Sequence, residues 1–207
     1  RLDVNILTQN GGAIAIPESL MGGGKLGGLL NMRASALEAQ NQIGLLAVGM
    51  STAFNAQHQL GQDLNGKLGT DFFTTPSVSV QRYANATTSM PDVQYGDVSK
   101  LVGEDYRLTF TDTTGGYALT RVSDGRSVMA AEVGLTITPP ATSWVGDSFL
   151  IQPTRQAAST LNLALSDTRM IAAGAPIAAA AAVSNLGTGS ITAPVVASTT
   201  DIKAGAF

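Results

Sequence analysis

Apolar residues return along one stretch of this chain at alternating steps of three and four. Counted from Leu29, the steps fall on Leu29, Met32, Ala36, Ala39, Ile43, Leu46, Met50, Ala53, Gln57 and Leu60, apolar throughout except Gln57. A seam repeating every 3.5 residues lets a helix lie along a partner helix with side chains interlocked. The spacing predicts a first helical segment over residues 25–33, weakened by Gly27 and Gly28, and a main helix over 34–61. Gly44 and Gly49 each cost such a helix about 1 kcal/mol relative to Ala, so they read as thin points where another helix approaches. Gly61 suits a C-terminal cap, and Asn65-Gly66 turns the chain. The residues expected to carry helix packing are Leu29, Met32, Ile43, Leu46, Met50, Ala53, Phe54 and Leu60. Leu46, in mid-seam, should tolerate a charge far less well than Gln42. No second seam of equal length occurs, so the partner is expected elsewhere: in another subunit, or in a part of the protein beyond these residues.

Elsewhere the period is two. LDVNIL and AIAI read as short strands around Gln9-Asn10-Gly11-Gly12, with Pro17 ending the second. Gly22 to Gly24 form a joint. SVSVQRY alternates, and residues 76–104 are otherwise broken by Pro76, Pro91 and Gly96. From Asp105, Tyr106, Leu108 and Phe110 alternate with Arg107, Thr109 and Thr111. Turns at Gly115-Gly116 and Asp124-Gly125 then predict a five-stranded antiparallel meander through YALTRV, RSVMAAE, GLTITP and SFLIQP. Its expected core is Tyr106, Leu108, Phe110, Leu119, Ile137 and Phe149. DTRMIAA suggests a helical turn, LNLALS is strand or helix, and ITAPVVAST reads as a last strand. The fold class is α+β: a long coiled-coil-like helix plus an antiparallel β-rich outer part. The segments are 1–24 (strands and hinge), 25–75 (helical) and 76–207 (β-rich, with a subdivision near 172–190).

Composition narrows the chemistry. The chain is 44% hydrophobic, 5% aromatic and 13% charged, a globular chain of small residues. A net charge of −3 and scattered Lys and Arg argue against nucleic acid. No apolar run reaches the ~18 residues of a membrane span. The absence of Cys removes disulfides, thiolate nucleophiles and Cys-ligated metals.

Candidate sites are few. His58, the single histidine, supplies no His-rich metal site and belongs on the rim of a helix interface rather than in acid–base chemistry. Gly22-Gly23-Gly24-Lys25 lacks both the earlier Gly and the following Ser or Thr of a phosphate loop. Asp92, Asp97, Glu104 and Asp105 are loop-like charges, no G-x-S-x-G elbow occurs, and Asn85-Ala86-Thr87 is a chance sequon. No catalytic, cofactor or metal residue is nominated.

Two stretches carry a family resemblance. GKLGGLLNMR, a helix ending AFNAQHQLGQDLNG, and DFF come first. EDYRLTF, GYALTRVSDG and GLTITPPATSWVGDSFLIQPTRQAASTLNLALSDTRMIAAGAPI follow in the same order. Together they resemble the flagellar hook-associated protein 1 family, the hook–filament junction proteins, over about two thirds of the chain. The resemblance implies a structural, non-enzymatic role without cofactors. The helical part would belong to a shell packing against neighbouring subunits, and the β part would project outward. Implied partners are other flagellar axial proteins: the hook protein, a second junction protein and further copies of itself. It implies export through the flagellar secretion channel and an extracellular location. The family's terminal segments are not among these residues and Arg1 opens the chain, so a core fragment is expected, monomeric or weakly associating by itself. Two other classes stay open. A phage-tail or adhesin-like β binding module with a helical anchor would show a localised aromatic or charged patch. A hydrolase would show converging carboxylates in a cleft.

Overall fold

The computed structural model describes residues 4–8, 12–16, 22–84, 86–180, 182–184, 186–192 and 194–200. Gln9 to Gly11, Pro17 and Asn85 lie outside the described residues. The two opening strands, β1 (Val4–Leu7) and β2 (Ala13–Ile16), form an antiparallel hairpin in which Val4 faces Ile16 and Leu7 faces Ala13.

One helix, α1, runs unbroken from Gly24 to Gln59, 36 residues. At about 1.5 Å per residue it is roughly 54 Å long. The break expected at residue 33 is absent. Gly27 and Gly28 weaken a helix but keep their N–H groups, and only proline would both clash and remove a donor. The end of α1 also differs from expectation. Leu60 caps it in right-handed conformation, and Gly61 is not among the glycines with positive φ. Glycine is needed at 61 for close approach, because a Cβ there would overlap the Ala172 carbonyl oxygen.

The β-rich part centres on a five-stranded antiparallel sheet ordered β3-β9-β5-β6-β7. Its strands are β3 (Ser79–Arg82), β5 (Tyr106–Phe110), β6 (Tyr117–Arg121), β7 (Ser127–Val128) and β9 (Ser148–Gln152). The predicted simple meander is therefore incorrect. After β7 the chain takes a 3-10 turn at Ala130–Val133 and a left-handed residue at Gly134. That redirects β8 (Leu135–Thr138) onto β4 (Asp92–Tyr95) in a separate two-stranded ladder. β9 then returns on the other side of β5, pairing Tyr106 with Ile151 and Leu108 with Phe149.

Tyr106, Leu108 and Phe110 put one face of β5 into the core, with Leu119, Phe149 and Ile151. Phe110 and Phe149 meet edge to face at 5.9 Å. Ile137, on β8, is half-buried and packs at the edge of this cluster. From α1, Val48 enters the same cluster fully buried.

A single helical turn, α2 (Ala157–Thr160), follows β9. The chain then runs back along residues 62–74. Gln62 and Gly174 exchange backbone bonds of 2.8 and 3.0 Å, and Ala164 N–H donates to Phe72 O at 2.8 Å. The helical turn expected at DTRMIAA is a 3-10 turn, Thr168–Met170, capped by Asp167. The last predicted strand is absent: residues 191–192 and 194–199 join no sheet. Pro194 has no N–H to give to a ladder. No helix among the described residues is long and apolar enough to cross a membrane.

Candidate functional site

The long helix presents two different faces. The face on the β-rich part is centred on Asn41, Gly44, Val48, Ser51, Asn55 and His58, all buried, with buried Ala47 and half-buried Leu45 beside Val48. The six central residues also repeat at three and four, and of them only Val48 is a large apolar side chain. Each apolar seam position from Ile43 onward lies two residues further on, about 200° round the axis at 3.6 residues per turn. The seam therefore points away from the body of the chain.

The inner face is held by close backbone approach and hydrogen bonds. A Cβ on Gly44 would overlap the Thr154 carbonyl oxygen, so the helix meets the segment after β9 backbone to backbone. Asn41 Nδ2 donates to Asp105 Oδ1 at 3.4 Å. Asp105 Oδ2 accepts from Gln152 at 2.9 Å and pairs with Arg155 at 2.6 Å. Farther along, Asn55 Oδ1 accepts the amides of Phe72 (3.0 Å) and Phe73 (2.9 Å), while its Nδ2 donates to Phe73 O at 2.8 Å.

His58 is buried, not on a rim. Its Nε2 accepts the Ala172 amide at 2.8 Å. Nδ1 therefore carries the hydrogen and donates to Thr70 O at 2.6 Å. This neutral ring joins the helix end to both the 70–73 segment and the returning chain. Phe72 meets it edge to face at 5.4 Å, and Phe54, Phe72 and Phe73 pack against one another, tilted or edge to face, with centroids 4.7–5.4 Å apart.

On the outer face Met32 and Leu46 are each 71% exposed, and Leu29, Ile43, Met50 and Phe54 are exposed as well. Ala53 is exposed and Leu60 half-buried. None of the seam positions from Leu29 to Met50 enters the core of this chain, whereas Tyr106, Leu108, Phe110, Leu119 and Phe149 do.

The inner stripe escaped sequence reading because Asn, Ser, Gly and His look solvated. The signal that could have found it is the second three-then-four repeat, two residues out of phase with the first.

Asp105, Asp112 and Asp147 are engaged in structural bonds. Asp105 closes the Arg155 pair, and Asp112 Oδ1 binds the Thr114 and Gly116 amides, both at 2.8 Å. Asp147 Oδ2 accepts from the Thr88 amide (2.6 Å) and hydroxyl (2.7 Å) and from the Thr87 amide (2.7 Å). These bonds, the Thr88 hydroxyl first, hold the Asp147 carboxyl below the usual carboxylate range. Among the described residues no three His, Cys, Asp or Glu side chains are grouped to hold a metal. The Cβ positions of Gly22, Gly23 and Gly24 meet open space.

Comparison with known proteins follows this geometry. Residues 1–73 match the model of the flagellar hook-associated protein FlgK helical domain. Flagellar hook-associated protein 1 of Salmonella typhimurium strain LT2 is 32% identical over 185 residues, covering 83% of this chain and 33% of the relative. The Escherichia coli K12 protein of the same name is 32% identical over 184 residues, with the same coverage. In structure, the flagellar hook junction protein FlgK from Burkholderia pseudomallei superposes with a TM-score of 0.72 at 32% identity, over 90% of this chain and 36% of that one. The chain thus spans about a third of the length of the relatives it matches. Sequence and fold converge along the helix and the β-rich part alike, and the chain belongs to the flagellar hook-associated protein 1 family.

Proposed function

We propose that this chain is a structural part of the bacterial flagellum, at the junction between hook and filament, and that the outer face of α1 is its packing surface. The observation that carries this reading is the inverted helix. Its polar face is turned inward and its apolar seam outward, an arrangement that suits a helix covered by something other than its own β-rich part. Burying one Leu, Ile or Met contributes about 1.5–3 kcal/mol, so a partner seated along the seam gains substantially. The partners proposed are other flagellar axial proteins: the hook protein, a second junction protein and further copies of itself. An extracellular position after export through the flagellar secretion channel goes with this role. The proposal includes no catalysis and no cofactor, since the buried carboxylates and His58 are occupied by structural bonds.

The test is motility of cells carrying Leu46→Asp in the full-length protein, with secretion of the variant checked. Lost motility with a secreted variant is expected. Normal swimming would sink the claim that the seam is an assembly surface.

A further inference from the structure

Trp144 and Val145, at the tip of the turn between β8 and β9, are 67% and 65% exposed. Their loop is nonetheless pinned from beneath. Ser143 Oγ donates to Asp112 O at 2.7 Å and accepts the Gly115 amide at 3.1 Å. The Trp144 amide donates to Thr88 Oγ1 at 2.8 Å, and that same hydroxyl donates to Asp147 at 2.7 Å. The Gly146 amide reaches back to Phe110 O at 2.9 Å. Ser143, Asp147 and Thr88 are all buried. A buried polar network thus holds an exposed indole in place, which lowers the ordering cost of binding through it. Tryptophan is among the residue types enriched at the energetic centres of interfaces.

The chain also carries a receptor of matching chemistry. A cleft of about 470 Å³ opens at the C-terminal end of α1, lined by Phe54, Leu60, Phe72, Ile171, Pro176 and Val195 among others, and by no Asp, Glu, Lys or Arg. Its phenyl rings suit edge-to-face contact with an indole. Trp144 is not among the residues lining it, so in this structure the tip does not fill the cleft of its own chain.

We propose that the Trp144–Val145 tip of one copy inserts into the helix-end cleft of a second copy. Such a contact joins two different patches and is head-to-tail, so each copy keeps a free tip or a free cleft for the next. The inference rests on the proposed function only in taking a second copy as partner. Its test reads the isolated chain, so its failure is distinct from failure of the seam.

Trp144 is the single tryptophan in the sequence, and its fluorescence reports its burial directly. A contact well below the roughly 1,000 Å² of a stable interface is weak, so the chain is followed up to about 1 mM. The wild-type emission should shift to the blue as concentration rises, with a parallel increase in sedimentation coefficient. Val195→Arg, at an exposed position on the cleft wall, should abolish both changes. Adding excess Trp144→Ala, which is nearly dark but has an intact cleft, should restore the blue shift of Val195→Arg. Absence of a wild-type shift, a shift that persists in Val195→Arg alone, or a mixture that stays unshifted each overturns the proposal.

Discussion

The two faces of α1 differ in chemistry in an unexpected way. The inner face, which holds the helix to the β-rich part, is mostly Asn, Gly, Ser and His around Val48 and Ala47, with Leu45 half-buried beside them. The outer face is Leu, Met and Ile, and it meets no core. Apolar burial is non-directional and scales with area, so an apolar inner face could slide along the sheet. Hydrogen bonds and glycine contacts fix one register instead. Asn55 is satisfied only opposite Phe72 and Phe73, and Gly44 fits only against Thr154. The apolar residues of the seam are thereby left exposed. The comparison teaches that the apolar stripe of a helix need not be the side turned toward its own domain.

Gly44 gives the largest expected effect. Helix propensity alone says that Gly44→Ala gains about 1 kcal/mol. Overlap of the new Cβ with the Thr154 carbonyl says the opposite, and forcing the helix off its seat costs about 1–3 kcal/mol or more. Gly49→Ala is the matched control in the same helix, because its Cβ meets nothing within 4 Å. Urea melting should show Gly44→Ala less stable and Gly49→Ala slightly more stable than wild type. Equal effects of one sign would break the distinction between the faces.

Asn55→Ala comes next. It leaves the Phe72 and Phe73 amides and the Phe73 carbonyl without partners in a partly buried place, at a cost of about 1–3 kcal/mol. Thermal melting would record this loss. Faster hydrogen exchange at the amides of residues 72 and 73 would localise it.

How far these features were legible in the sequence follows from what a periodicity encodes. The alternation of Tyr106, Leu108 and Phe110 specifies a strand with one buried face, and that strand forms. It does not specify neighbours, and for that reason the meander was misread: only the left-handed turn at Gly134 shows that β8 leaves the sheet. The seam was visible as a pattern, yet a pattern does not say which side faces the protein's own body. Asn41, Asn55 and His58 were illegible because their partners, among them Asp105, Phe73 and Ala172, are distant in sequence. The false strand at residues 191–199 came from weighing β-branched residues above Pro194.

The Trp144 loop lets the comparison be sharpened by pH. Asp147 is held below the ordinary carboxylate range by Thr88 and Thr87. Its unfolded value is about 3.9. A depressed folded value means the stabilisation is fully present above the unfolded value and disappears as pH falls through the folded one. Acid should therefore loosen this loop, whereas the Asn55 bonds on the inner face of α1 carry no titrating group. Thr88→Val removes the largest cause, so its acid-unfolding midpoint should move to higher pH. An unchanged midpoint would show that the hydroxyl does not govern this carboxylate.

The smallest effect is the most telling. The mid-seam position predicts Leu46→Asp to be far more damaging than Gln42→Asp, except where the partner of the seam lies outside these residues. The structure reverses that ranking for the isolated chain. Leu46 is 71% exposed, and a charge there loses no packing and is not desolvated, so its melting should stay within about 0.5 kcal/mol of wild type. Gln42 is also exposed, but its amide lies against Gly103, where an added Cβ would be 3.1 Å away. Shortening it to Asp removes that packing and brings a carboxylate toward the segment that carries Glu104 and Asp105. Gln42→Asp should therefore melt no higher than Leu46→Asp, and lower at low salt, where like charges are less screened. In the full-length protein the order should invert again, because there Leu46 meets its proposed partner and Gln42 does not. A chain that unfolds on Leu46→Asp would place the seam in its own core and remove the distinction between the two faces.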